Sequence, residues 1–460
     1  MGKVGVNMNQ IPANTNENLE VKNIILLLAI SIYSVGIFTS ETFVSSYNIK
    51  MIYIVVTIFT FLIYYVLSKR RITIYIVELM WLLFFLYFIL HFIFQGNIKS
   101  IFVVDIVVFS TLVILLALMK VNIQYYKVAL NIMLLFAIIH ALGSLFQFLN
   151  MELYSRVVLS RFSGIYQSEI LRIYRNSSYT GFTRQSAYIS GFLVLGIAIS
   201  FYMINHYKNK VLRTIVIICL PLLLFSLFLG GKRAHLIFMA IAFLVTYLFS
   251  TNLKNFFLQI IKLTSLFILF IISILIIYFS YTPNSTSQFG KIYIKFDNTI
   301  QGLISGEDIT SGRVELYDYA LELFKDNPIT GIGWRMFNEL TFGFLSSTSG
   351  SHPHNIYIQL LTELGIVGFI LFIIPVIYVL IKTIKLLMSS EKILNNGDLW
   401  KSTLQFSLFT QTFFILYGFT GNLLTDHMYI LIYVFAVSIT LSAMKYSIKS
   451  TINLRRDEKG

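Results

Sequence analysis

The sequence predicts an all-α fold: a polytopic membrane helix bundle of about twelve transmembrane helices with one large extracytoplasmic loop. Two observations carry that prediction. Of 460 residues, 57% are hydrophobic and 12% charged, with a mean hydropathy of +0.77. A water-soluble domain of that composition would expose a large apolar surface, so lipid must be the solvent. The apolar mass is also bulky, with 42 Phe and 28 Tyr against 6 Pro, which favours uninterrupted spans over broken loops.

Crossing about 30 Å of hydrocarbon takes about 20 mainly apolar residues. By that measure spans fall at 23–39, 50–68, 72–94, 100–119, 124–149, 185–205, 211–229, 234–250, 257–279, 356–381, 402–421 and 425–446. The chain thus divides into a disordered cytoplasmic tail (1–22), spans one to nine (23–279), the large loop (280–355), spans ten to twelve (356–446) and a second cytoplasmic tail (447–460). The polar, Asn-rich start and Lys22 directly before the first apolar run read as a retained signal anchor rather than a cleaved signal. Cys219 is the single cysteine, which leaves no disulfide framework and no Cys-based zinc site.

Lysine-rich connections are retained in the cytoplasm. Lys69–Arg71, Lys120 with Lys127, Lys208–Arg213, Lys254 with Lys262, Lys382–Lys401 and Lys445–Lys459 alternate consistently, so both termini are expected inside and segments 150–184 and 280–355 outside. The outer side collects arginine instead: Arg156, Arg161, Arg172, Arg175, Arg184, Arg233, Arg313 and Arg335. A guanidinium presents a planar fork of donors suited to phosphate, whereas an ammonium is a hydrated point charge suited to lipid headgroups. A phosphorylated ligand outside and a genome bias that keeps lysine for solvent faces both remain open at this point.

Within the outer loop, Ser311–Tyr317 opens an amphipathic helix with Val314, Tyr317, Leu321 and Phe324 on its apolar face. Arg313 lies in its first turn, where free backbone N–H groups favour an anion; an ion pair to Glu315, Asp318 or Glu322 is the competing role. Pro328 and Gly331-Ile332-Gly333-Trp334 then end the helix in a flexible turn. Further on, His352-Pro353-His354-Asn355 stands at the outer mouth of the tenth span. No Cys or His-Glu-x-x-His arrangement accompanies the imidazoles, so no metal is expected, and a neutral imidazole suits accepting a proton from a sugar hydroxyl, oriented by Asn355. Lys232 and Arg233, between two nearly abutting spans, must face a cavity or headgroups, and Arg184 occupies the equivalent mouth of the sixth span. Glu78, His91, Asp105 and His140 lie inside spans, their partners unassigned; such groups would also serve a proton-coupled transporter.

Ser311-Gly312-Arg313, Asn327-Pro328-Ile329-Thr330-Gly331-Ile332-Gly333, His352-Pro353-His354-Asn355-Ile356-Tyr357 and Glu363-Leu364-Gly365-Ile366-Val367-Gly368 together resemble the signature of the O-antigen ligase and polymerase (Wzy/WaaL-like) family, over about residues 226–370. The resemblance implies a GT-C-like bundle in the bacterial plasma membrane and a metal-independent, inverting glycosyltransferase without cofactor. Its donor and acceptor would be glycans on undecaprenyl pyrophosphate, and its site extracytoplasmic. It implies that Arg233 and Arg313, with Arg184, hold the pyrophosphate, that His354 activates the acceptor hydroxyl, and that His352, Asn355, Lys232 and Arg335 support them. Lys232 stands where the family usually has serine, which removes any role for that hydroxyl. Membrane lipids, a chain-length regulator and a flippase are the implied partners, and no nucleic acid. The Lys, Ile, Asn and Tyr bias favours a capsule or exopolysaccharide polymerase; a ligase or O-oligosaccharyltransferase of the same family is the alternative, and a flippase the second alternative.

Overall fold

The computed structural model describes residues 14–43, 47–69, 71–95, 100–207, 209–250, 313–341, 352–393 and 397–457, with positions 290, 294, 297, 301 and 305. The predicted ninth span (257–279), half of the loop 280–355 and the chain ends lie outside the described residues. Among the described residues the fold is helical, with no strand and one isolated bridge between Thr42 and Thr183.

The helices are α1 (Asn14–Thr39), α2 (Tyr47–Ser68), α3 (Ile76–Gln95), α4 (Ser100–Leu118), α5 (Ile123–Leu149), α6 (Met151–Val157), α7 (Gly164–Arg175), α8 (Ser186–Met203), α9 (Lys210–Leu229), α10 (Arg233–Phe249), α11 (Arg313–Asp326), α12 (Met336–Leu340), α13 (Ile356–Ile393), α14 (Gly397–Tyr417) and α15 (His427–Asp457). Asparagine starts several of them. The side-chain oxygens of Asn122, Asn150 and Asn209 accept backbone N–H groups of α5, α6 and α9 that have no partner within the helix.

Among the described residues, seven helical segments are long and apolar enough to cross a membrane: Glu20–Thr39, Ile76–Phe94, Ile123–Leu149, Ser186–Met203, Lys210–Leu229, Ile356–Ser389 and His427–Ile448. Ile52–Ser68, Val108–Leu118 and Arg233–Phe249 are shorter apolar helices at other predicted spans. The predicted span 402–421 is helical only to Tyr417, and Gly418 onward turns away from the helix. The centre of the bundle is α8 and α15, each 89% buried along its apolar window, with α5, α14 and α1 packed around them. Exposed Leu, Ile, Val and Phe on α2, α3 and α9 form the outward face expected in lipid.

Glu78, His91, Asp105 and His140, left unassigned from sequence, all have partners. Glu78 takes an ion pair from Lys120 and the backbone N–H of Tyr75 at 3.0 Å. His91 donates to Thr330 O at 2.5 Å and His140 to Phe38 O at 3.0 Å. Asp105 binds Arg335, Trp334 and His427. These contacts fix helices to one another and to the loops, as buried polar groups in lipid must.

Two expectations for the outer loop are corrected. The face of α11 that packs on α13 is Leu316 and Ala320, with Tyr319 and Leu323 beside them, while Val314 and Leu321 are exposed. Ala320 permits close approach, and its carbonyl accepts from the Thr362 hydroxyl at 3.0 Å. The turn after Pro328 is also locked rather than flexible. Helix α13 breaks at Gly365 (φ 66°, ψ −173°), and the freed backbone groups pair with the turn. Ile332 and Gly333 N–H donate to Thr362 O and Glu363 O, both at 2.9 Å, and Ile366 N–H donates to Pro328 O at 2.9 Å. The two motif segments are one interlocked unit.

Candidate active site

The ends of α1, α8, α10, α13, α14 and α15 converge at one end of the bundle around a cavity of about 350 Å³. Its lining includes Glu41, Arg184, Tyr188, Lys232, Arg313, Arg335, His352, His354, Tyr417, Asn422, Asp426 and His427. Six side chains singled out from sequence, scattered between positions 184 and 354, are thereby brought together. Lys120, Lys127 and Lys445, among the lysines used for orientation, sit at the opposite end, where Lys127 donates to His206 O at 3.3 Å and Lys445 to Lys120 O at 3.4 Å.

Each functional side chain is placed by its local backbone. Gly231 (φ 65°) takes the left-handed conformation that closes the α9–α10 turn, and Tyr179 N–H ties that turn down by donating to Leu229 O at 3.1 Å. Lys232 then faces the cavity. Arg233, the first residue of α10, is partly buried and is not among the lining residues, so the cation delivered here is the lysine. Asn355 is also off the lining: its Oδ1 accepts Tyr357 N–H at 3.0 Å and Ile358 N–H at 3.2 Å, capping α13. Immediately before this cap His354 is left-handed (φ 52°), as is Arg335 before α12 (φ 61°). Such backbone is uncommon for side chains with a Cβ, and it occurs here at two cavity residues.

The cations fall into two kinds. Arg184 is neutralised: its guanidinium meets Glu41 at 2.6 Å, donates to Tyr166 OH at 2.9 Å and Tyr188 OH at 3.2 Å, and lies over both rings. Arg335 is neutralised by Asp105 through Nε at 2.6 Å and Nη2 at 3.0 Å. Arg313 and Lys232, by contrast, make no ion pair among the described residues; Arg313 donates to Thr420 O at 3.3 Å rather than to the acids of its own helix. Although Lys232 retains accessible surface, desolvation and then the guanidiniums of Arg313 and Arg172 hold its ammonium below its ordinary pKa. An anion placed between Lys232 and Arg313 would relieve that repulsion.

Both imidazoles are neutral at pH 7. Burial and then Arg313, the neighbouring His352 imidazole and Lys232 push His354 down to about 4; burial and Arg335 push His352 to about 4. Burial and the Glu41 carboxylate raise Asp426 to about 6, and its Oδ1 accepts from Tyr188 OH at 3.0 Å. The site thus sets a neutral proton acceptor beside two cations that have no ion-pair partner among the described residues.

Sequence reasoning missed Glu41, Asp426 and His427 and left Asp105 without a partner. Asp426 and His427 carried the signal that marked His352 and His354, ionisable groups at the mouth of a span. Glu41 offered only an isolated acid after α1, brought to Arg184 by the Thr42–Thr183 bridge and the Arg184 N–H to Glu41 O bond of 3.0 Å.

Residues 186–373 match the family model described as O-antigen ligase. The chain is also 24% identical over 110 residues to the exopolysaccharide production protein ExoQ of Rhizobium meliloti (strain 1021). That similarity covers 22% of this chain and 25% of ExoQ, so the chain spans about a quarter of the length of the curated relative it matches. The resemblance read from the motifs is therefore found by comparison as well. The matched span contains Lys232, Arg313, Arg335, His352 and His354, whereas Glu41, Arg184, Asp426 and His427 lie outside it.

Proposed function

From that family match as premise, we propose that this chain is a membrane glycosyltransferase that polymerises undecaprenyl-pyrophosphate-linked repeat units into surface polysaccharide. The observation that carries the reading is the pairing of Lys232 and Arg313 with the neutral His354 in one cavity. In the reaction, His354 takes the proton of an acceptor hydroxyl as its oxygen bonds to the anomeric carbon of the donor. The bond from that carbon to the pyrophosphate breaks on the opposite face, which inverts the centre, and the electron pair leaves on the pyrophosphate. Arg313 and Lys232 stabilise the developing charge, the part a metal would otherwise take. Substrate also prepares the base: a bound pyrophosphate offsets the Arg313 and Lys232 charges that add to burial in holding His354 low, so its affinity for the incoming proton rises when the donor is seated.

The lysine-rich and arginine-rich ends of the bundle support a cytoplasmic side for the former and an extracytoplasmic cavity, in a bacterial plasma membrane. The relative described as an exopolysaccharide production protein favours polymerisation. Ligation to another acceptor by the same chemistry is the second reading, favoured by the description of the matching family.

The test is His354→Ala in cells, with lipid-linked oligosaccharide extracted and its sidedness probed by an impermeant glycosidase. Single repeat units on lipid should accumulate outside. Long polymer in this variant would refute His354 as the base, and units trapped inside would refute the enzyme reading in favour of a flippase.

A further inference from the structure

Beside the cationic residues, where Arg313 donates to Thr420 O at 3.3 Å, the cavity is walled by the connection between α14 and α15, Gly418–Asp426, and by His427. This wall is chemically different. It offers acceptors, and several are unused: Thr420 Oγ1 and Asn422 Oδ1 are buried without a hydrogen-bond partner among the described residues. Buried polar atoms are normally paired, so two unpaired ones on a cavity wall point to a ligand that pairs with them. A phosphate cannot do so at the Asn422 carbonyl oxygen, because both are acceptors. A hydroxyl-rich ligand can.

His427 adds a directional element. Its Nε2 lies 3.0 Å from Asp105 Oδ1. The Asp105 carboxylate is buried and ion-paired with Arg335, and it takes Trp334 Nε1–H at 2.8 Å. A carboxylate held this way is acceptor-only, so the His427 tautomer that pairs with it carries its ring proton on Nε2. That leaves Nδ1 as a lone pair, with no protein partner among the described residues, on a residue that lines the cavity.

We propose that His427 and Asn422 form a sugar-hydroxyl subsite adjoining the phosphate-binding cations, with Asp105 as the positioning residue that fixes His427 as a hydrogen-bond acceptor. The subsite rests on the pyrophosphate reading and gives it the missing half: the cations take the phosphate, and the adjoining wall reads the first sugar. His427 sets which glycan is held, while His354 performs the proton transfer.

The informative variant is His427→Gln, whose amide keeps an N–H toward Asp105 while its carbonyl oxygen lies away from the position of the ring Nδ1 lone pair. Binding is measured on the full chain in lipid nanodiscs with two probes: undecaprenyl pyrophosphate, and the same lipid pyrophosphate carrying the repeat unit extracted from cells lacking this protein. His427→Gln should weaken the glycosylated probe about tenfold, the equivalent of one lost hydrogen bond, and leave the bare lipid unchanged. Arg313→Ala should weaken both. Unchanged affinity for the glycosylated probe, or an equal loss for both probes, would overturn the subsite. Failure of the wild type to bind bare undecaprenyl pyrophosphate would instead sink the pyrophosphate reading and this inference with it. Nitrogen-15 spectra give a separate readout of the tautomer. At pH 8 His427 should show an unprotonated Nδ1 that loses its preference in Asp105→Asn, and a protonated Nδ1 in the wild type would overturn the role of Asp105.

Discussion

Replacing Gly365 with alanine should unlatch the outer loop from the bundle. At φ 66° and ψ −173° the residue occupies a region open essentially to glycine, and holding alanine there costs roughly 1–3 kcal/mol. The added Cβ would also lie 2.2 Å from Ile329 O and 2.6 Å from Thr330 N. Both are backbone atoms held by the interlock, so neither can swing aside. Relief requires parting the two segments, which breaks the bonds from Ile332, Gly333 and Ile366, each worth about 1 kcal/mol, and also separates Val367 N–H from Ile329 O at 3.4 Å. The loss sums to roughly 4–6 kcal/mol. Because Arg335 follows Gly333 by two residues, its guanidinium should leave Asp105 and the cavity should deform. Thermal unfolding in detergent and polymer output in cells report the two effects. Gly164→Ala is the control, since a Cβ there meets nothing within 4 Å and should be neutral. A Gly365→Ala protein with wild-type melting temperature and polymer yield would refute the interlock as a structural constraint.

Arg313→Lys should lose about tenfold to a hundredfold of polymerisation rate despite its retained charge, because an ammonium cannot make two parallel bonds to a phosphate; normal polymer with normal expression would make Arg313 structural. Lys120→Ala should cost about 3–5 kcal/mol by stranding the buried Glu78 carboxylate, and adding Glu78→Leu should recover much of it; equal melting temperatures for the single and double variants would contradict the pair. On pH, His352 and His354 lie below their ordinary value of 6.5, so the unfolded chain binds more protons between about 4 and 6.5, and their contribution to stability is full above that window and lost as pH falls through it. Asp426, raised from 3.8 to about 6, acts with the opposite sign over nearly the same window, so Asp426→Asn should steepen the loss of stability on acidification; a shallower slope would show the assignment to be wrong. Cysteine at the exposed position Glu322, in a Cys219→Ser background, should react with an impermeant maleimide in intact cells, whereas labelling only after lysis would invert the topology.

The sequence determined the membrane setting, the helical class and most helix positions, because each rests on local quantities: hydropathy over about 20 residues, lysine placement and helix-starting asparagine. It also picked out six of the cavity's residues, since charged and imidazole groups at span mouths stand out against an apolar background. Tertiary structure decided their roles. Arg184 and Arg335 look like Arg313 in sequence, yet only the fold brings Glu41 and Asp105 against the first two and leaves Arg313 without an acid among the described residues. Asn355 reads as a partner for His354 until its side chain is seen capping α13, and Arg233 reads as the cation until Gly231 turns Lys232 into the cavity. The acceptor wall lay beyond reading because Asp105 and His427 are separated by 322 residues. Their meeting depends on how α4 and α15 pack, and helix packing in lipid is set by the summed fit of whole faces rather than by any local signal in the chain.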